Sequence, residues 1–220
     1  MVYELHKALY GFKQAPRAWN KKIDSYLVEL GFTKCKSKYG VYVQVVASDI
    51  TLIYLYVDDL LVTGNNINNM KKFTQLMIKG FEMTHLGNLS HFLGMELIRI
   101  EKGIILHQGK YAKEVLKRFR MFESNSAASL VKENLKLEKG GEEEKVDATL
   151  FKHIVGLLRY LCNSRPNIGF SVGLVSRYMD DPLISHMMVT RRILKYLNAT
   201  INYGFFFPSS LEDNDVVITC

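Results

Sequence analysis

The sequence predicts an α+β fold, and three observations carry that prediction. Two strand-rich stretches, residues 40–62 and 91–108, are broken by short polar turns, as antiparallel hairpins are. Apolar residues at helical spacing flank and separate them. From residue 148 onward the pattern is helical until a short aromatic run near the end.

Each element has its own warrant. "PRAWNKKIDSYLVEL" (residues 16–30) places Trp19, Ile23, Tyr26, Leu27 and Leu30 on one stripe, with Lys21, Lys22, Asp24 and Glu29 on the other side. Pro16 suits its first position, and Gly31 suits the residue past its end. "GVYVQVV" and "ITLIYLYV" read as strands joined by Ala47-Ser48-Asp49, and "LLVTG" as a third strand after Asp58-Asp59. "NNINNMKKFTQLMIKG" reads as a second helix capped by Asn66 or Asn68. "HFLGMELIRIEKGIILHQ" is a hairpin turning at Glu101-Lys102-Gly103, and "GKYAKEVLKRFRMF" is a strongly basic helix. Composition shifts near residue 124, where a polar, charged and glycine-containing stretch to residue 147 reads as a linker or a lightly docked excursion. Beyond it lie a helix with Ile154, Leu157, Leu158 and Leu161 on one stripe, a second opened by Pro166, and a third lined by Met187, Thr190, Leu194 and Leu197. The tail suggests a strand, a loop and the start of another strand.

The bulk numbers exclude several classes. With 220 residues, 48% hydrophobic and 23% charged, the chain has globular composition rather than that of a disordered segment. A net charge of +7 leans toward a polyanionic partner. Cys35, Cys162 and Cys220 have no paired spacing, which excludes a disulfide framework and a Cys-rich zinc site. No apolar run reaches a bilayer span, and the first residues have no signal-peptide core, so no membrane role is expected. Nucleotide-binding Walker loops, His-Glu-x-x-His and Gly-x-Ser-x-Gly are absent, and the scattered histidines suit structural roles.

The feature that calls for chemistry is "YLYVDDLLV" (residues 54–62), two adjacent carboxylates inside an apolar run. A turn between two strands accounts for an Asp-Asp pair without any metal. The same turn, held rigidly at one end of a sheet, makes a hard anionic oxygen site suited to Mg²⁺ or Mn²⁺. Tyr54 and Tyr56, alternating with Leu55 and Val57, read equally as core packing.

Read beside "ALYGFKQAPRAW" (residues 8–19), "YVDD" (56–59) resembles the reverse transcriptase of copia-type LTR retrotransposons, and looks closest to plant elements. "FLGMEL" (92–97), "YAKEVLKRF" (111–119), "SRPNIGFSV" (164–172) and "RRILKYL" (191–197) follow in that family's order, so the resemblance covers essentially the whole chain. It implies a partial polymerase palm carrying the YVDD hairpin with a thumb-like element over residues 1–123, a linker over 124–147, and a helical connection segment over 148–220. It implies Asp58 as a catalytic metal ligand, with Asp59 as the motif's second aspartate. Gly11, Gln14, Pro16, Tyr56 and Val57 would lie near nucleotide and template, although Gln14 reads equally as a helix-entry residue. Phe92, Leu93, Gly94 and Met95 would hold the primer. Lys110, Lys113, Lys117, Arg118 and Arg120 would touch nucleic-acid backbone, though such a helix also reads as a plain solvated face.

The implied activity is RNA-directed DNA polymerisation by two-metal nucleotidyl transfer. The implied partners are a primer–template and dNTPs, with integrase and RNase H elsewhere in the Pol polyprotein. The implied setting is the cytoplasmic particle of the intact element. The sequence departs from the family in places. The residues before Leu9 carry Glu4 as their only acid, whereas the family supplies a third catalytic carboxylate there. Asn167 stands where an aspartate is usual. The expectation is therefore a truncated chain that binds Mg²⁺ weakly and is inactive in isolation, the alternatives being a non-catalytic nucleic-acid-binding remnant or a functionless degenerate copy.

Overall fold

The computed structural model describes residues 11–209, except 82, 133–134 and 141. The fold is α+β, with two separate antiparallel sheets and helices packed around them. The chain divides into two compact units, one up to Asn88 and one from Leu89 onward.

In the first unit, α1 (Ala15–Glu29) is followed by β1 (Thr33–Lys34), β2 (Val41–Val46), β3 (Asp49–Tyr56), β4 (Asp59–Gly64) and α2 (Ile67–Phe81). The four strands form one antiparallel sheet in chain order. Alternation along β3 puts Thr51, Ile53 and Leu55 on the buried face, with Tyr42 of β2 directly opposite Ile53. The expected stripe of α1 supplies buried Ile23 and Leu27, and α2 adds Phe73 and Met77 to the same core. Each such side chain, once buried, contributes about 1.5–3 kcal/mol. Asn66, one of the two expected caps, accepts from the backbone N–H groups of Asn68 and Asn69.

A polar knot ties α1 to this sheet. Asp24 on α1 accepts from Lys34 Nζ and from the hydroxyl of buried Tyr42, both at 2.6 Å. The Lys34 hydrogen bond, then that of Tyr42, hold the Asp24 carboxyl below the usual carboxylate range. Burial first, and then the Asp24 carboxylate, push the Tyr42 hydroxyl up to about 12.

The second unit contains β5 (His91–Phe92), β6 (Met95–Ile100), β7 (Gly103–His107), α3 (Gly109–Arg118), α4 (Ala148–Leu161), a 3₁₀ turn at Pro166–Ile168, α5 (Gly169–Ser176), α6 (Ile184–Ala199) and β8 (Gly204–Pro208). Its sheet runs β5-β6-β7-β8, so β8 returns from the far end of the unit to pair antiparallel with β7. The core is helical: Ala112, Val115 and Leu116 of α3 meet Phe151, Ile154, Val155, Leu158 and Leu161 of α4, with Val172, Ile193 and Leu194 from α5 and α6.

The compact units divide the chain at Asn88–Leu89 rather than at residue 124, so the basic helix α3 shares a core with the helices after residue 148. Of the two readings of 124–147, the structure shows the docked one. Leu130, Val131, Leu135, Leu137 and Val146 pack on the helical core, and Ala127 is buried. Ser129 accepts from Arg192 at 2.7 Å, and the carbonyl of Leu137 accepts from the Tyr178 hydroxyl at 2.9 Å. The surrounding charges hide these apolar anchors from any averaged composition. The expected final strand beyond β8 lies outside the described residues.

His186, at the start of α6, has the structural role expected of a histidine. Its Nδ1 accepts from the Leu183 N–H at 2.9 Å, which leaves Nε2–H to donate to the Glu138 carbonyl at 3.1 Å. Tyr178 stacks on it at 3.9 Å. Burial pushes the imidazole below its ordinary value, so it stays neutral at pH 7.

Candidate active site

The apolar alternation of β3 and β4 makes a hairpin, and the hairpin positions the two aspartates. Tyr56 pairs with Asp59, so Val57 and Asp58 alone form the turn. Asp58 is thus a turn residue and Asp59 the first residue of β4, and both are exposed. Adjacent carboxylates on so short and so well paired a turn give oxygen donors of the kind a hard divalent cation takes. No third histidine, cysteine, aspartate or glutamate joins them in a metal-holding group among the described residues.

Val57 carries φ +55, a left-handed conformation that a β-branched residue rarely adopts, at a cost of about 1–3 kcal/mol. A hydrogen bond opposes that cost. The indole Nε1–H of Trp19, on α1, donates to the Val57 carbonyl at 2.6 Å. Trp19 is itself fixed edge-on against Phe81 of α2, with ring centroids 5.4 Å apart. The two motifs that define the resemblance are therefore in physical contact, helix to turn. Trp19 belongs to the apolar stripe and closes the "ALYGFKQAPRAW" motif, and neither reading foretells this bond. The signal pointing further was that a half-buried indole N–H needs an acceptor. Trp19→Phe is expected to cost about 0.5–1.5 kcal/mol and to speed amide exchange selectively at the turn residues 57–60. Uniform exchange rates across β3 and β4 in the variant would refute the tether.

The remaining expected residues fall into two groups. Gly11, Gln14 and Pro16 lie exposed at the entry to α1, in the same unit as the hairpin. Gln14 is the residue preceding the helix and makes no side-chain cap, while Pro16 lies in its first turn. Leu9 and Tyr10 of the motif lie outside the described residues. Tyr54 and Tyr56 point to the face opposite the core residues Thr51, Ile53 and Leu55, so the tyrosine face is not core packing. Tyr56 and Val57 are both exposed beside the aspartates.

Phe92, Leu93, Gly94 and Met95 belong to the second unit, where they form the tight turn between β5 and β6. Leu93 and Gly94 have φ +49 and +71, the two positive values that a type I′ hairpin turn requires. The Tyr160 hydroxyl of α4 donates to the Leu93 carbonyl, and a Cβ at Gly94 would come within 2.8 Å of that hydroxyl. Glycine there serves both the turn and the clamp.

Lys110, Lys113, Lys117 and Arg118 are all exposed on α3, and Arg120 is exposed just past its end. The opposite face, with Ala112, Val115 and Leu116, is buried. Glu96 of β6 accepts from the Lys110 N–H at 2.7 Å, a carboxylate at the positive end of the helix. Lys110 Nζ lies 2.8 Å from His91 Nε2, and Lys113 and Lys117 follow on one exposed stripe, Lys117 Nζ lying 5.6 Å from the Phe122 ring centroid.

Comparison with known proteins points the same way as the geometry. Residues 1–132 match the family model described as reverse transcriptase (RNA-dependent DNA polymerase). The chain is 34% identical over 205 residues to the retrovirus-related Pol polyprotein from transposon RE1 of Arabidopsis thaliana, covering 93% of this chain and 14% of the relative. It is 33% identical over 220 residues to the retrovirus-related Pol polyprotein from transposon TNT 1-94 of Nicotiana tabacum, covering 96% of this chain and 17% of the relative. An uncharacterized mitochondrial protein of Arabidopsis thaliana, AtMg00810, is 31% identical over 163 residues, or 74% of this chain and 67% of its own. The chain thus spans 14–17% of the length of these Pol polyproteins. No solved structure matches it.

Proposed function

We propose, from the premise that the chain belongs to the reverse transcriptase (RNA-dependent DNA polymerase) family, that its residues present part of a nucleotidyl-transfer site and a nucleic-acid backbone grip. The observation that carries this reading is the exposed Asp58-Asp59 pair on a two-residue turn, pinned by Trp19. Asp58 and Asp59 would hold Mg²⁺ or Mn²⁺. Such an ion, when bound, supplies positive charge to a transferring phosphoryl group. The paired hairpin and the Trp19 bond hold the backbone that carries both carboxylates. Tyr56 and Val57, exposed at the same tip, would flank the primer end and the incoming dNTP. Gly11, Gln14 and Pro16 would border nucleotide and template.

Two adjacent carboxylates bind Mg²⁺ weakly, since tight sites need more oxygen ligands in a defined shell. The 220-residue chain alone is therefore proposed to bind primer–template without extending it. The full reaction, and the integrase and RNase H partners, would belong to the polyprotein context, in the cytoplasmic particle of the intact element. No described helix is long and apolar enough to cross a membrane.

The exposed cations of α3 favour the binding half of this reading. Fluorescence anisotropy with a primer–template duplex tests it. Affinity is expected to fall steeply with salt, and Lys113→Glu with Lys117→Glu is expected to lower the salt slope by about 2, one for each phosphate contact. Salt-independent binding would defeat it. Primer extension with Mg²⁺ or Mn²⁺ tests the rest: background signal is expected, and Asp58-dependent extension above background would overturn the proposal of a silent isolated chain.

A further inference from the structure

Arg165 is the largest fully buried side chain among the described residues, 2% exposed, at the entry to the 3₁₀ turn Pro166–Ile168. One nitrogen has a structural duty. Nη2 donates to the carbonyl and to the hydroxyl of Thr200, both at 2.5 Å, and so places positive charge at the C-terminal end of α6. The other two do not. Nε and Nη1 are buried with no hydrogen-bond partner, and no carboxylate pairs with this guanidinium among the described residues. A buried cation left this way is costly unless something compensates it. Burial accordingly pushes the guanidinium below its ordinary value.

Arg165 lines a cleft of about 350 Å³ in the second unit, together with Asn167, Tyr196, Tyr203 and Phe205. The Tyr203 ring faces the guanidinium, with Cζ 5.7 Å from its centroid, and is itself 59% exposed. Asn167 donates to the Tyr196 hydroxyl at 3.0 Å, which steadies the far wall. The cleft thus has aromatic sides and, in its lining, an under-satisfied guanidinium that is almost wholly buried. Its volume lies at the small end of ligand sites, the size of a one-ring molecule rather than a bare ion.

We propose that this cleft is a binding site for a small oxyanion, phosphate or carboxylate, carried on a flat apolar body. The oxyanion meets Arg165 and the flat body lies along Tyr203 and Phe205. The site belongs to the second unit alone and does not depend on the Asp58-Asp59 chemistry.

Isothermal titration calorimetry on the 220-residue chain tests this with phenyl phosphate, benzoate and inorganic phosphate as probes. Phenyl phosphate or benzoate is expected to bind saturably, and whichever binds tighter assigns the headgroup. Inorganic phosphate is expected to bind about tenfold more weakly or worse, because it lacks the body that fills the cleft. Arg165→Lys is expected to weaken the ring-bearing probe by about tenfold or more, the loss of a charge-assisted contact. Because Arg165 also clamps α6, Tyr203→Ala provides an independent variant at an exposed ring, with an expected loss of about fivefold. Absence of saturable binding to folded wild-type chain overturns the proposal. So does binding unchanged in Tyr203→Ala, or inorganic phosphate binding as tightly as phenyl phosphate.

Discussion

Leu158→Ala is expected to remove about 2.7–5 kcal/mol from the second unit, through the cavity it leaves in the helical core. Leu158 lies in the middle of α4, fully buried, in the cluster that also holds Ile154, Val155 and Leu161. Neighbours fixed on α3, α5 and α6 have little freedom to close the hole, so both transfer and cavity costs apply. The helix itself should survive, since alanine is a better helix former than leucine. Urea unfolding followed by far-UV circular dichroism measures the loss. A drop below about 1 kcal/mol would show that the four helices repack freely and that the cluster is not close-packed.

A rise in pH from 10 to 12 is the second large effect. Tyr42 titrates at about 12 in the folded protein against an ordinary 10.0, chiefly because it is buried and secondarily because its hydroxyl faces the Asp24 carboxylate. The folded state therefore holds the Tyr42 proton more tightly than the unfolded one. The corresponding stability is complete below pH 10 and is lost between 10 and about 12, amounting to about 2–3 kcal/mol. Lys34, also raised by its bond to Asp24, loses its contribution in the same direction. Asp24 acts at the acid end, since its lowered value gives stability that vanishes only as pH falls through that value. Trp19, the single tryptophan, reports unfolding of the first unit. Denaturation followed by its fluorescence should show the alkaline loss in the wild type and a shallower one in Tyr42→Phe, which keeps the Lys34 bond to Asp24 but not that of Tyr42. Parallel profiles would remove Tyr42 from the account.

Local features of this fold were legible in the chain because they rest on short-range periodicity. The α1 stripe from Trp19 to Leu30, the alternation of β2 and β3, and the Asn66 cap follow from spacing alone. Long-range features were not. That β8 pairs with β7 depends on residues far apart in sequence, and that residues 124–147 dock depends on a few apolar anchors among many charges. The same division holds for the candidate site. Asp58 and Asp59 stood out as an interruption of an apolar run, and the α3 cations as a charge excess. The Trp19 tether, the left-handed Val57 and the unpartnered nitrogens of Arg165 are properties of contact geometry, which no spacing rule encodes.

The return of β8 to β7 has a bearing on how the chain is made. Between His107 and Gly204 lie all of α3 to α6, so a ribosome must release the whole helical core before the last strand can complete the sheet. Until then the β7 edge has open backbone groups and half-buried Ile104, Ile105 and Leu106 beside it. Such an edge is where nascent chains associate wrongly. Helices rich in local contacts form fast, whereas closing a strand pair over that span is slow. Chains cut short of Pro208 would therefore leave the sheet permanently open, and aggregation on synthesis, rather than loss of the helical core, would be the first sign of it.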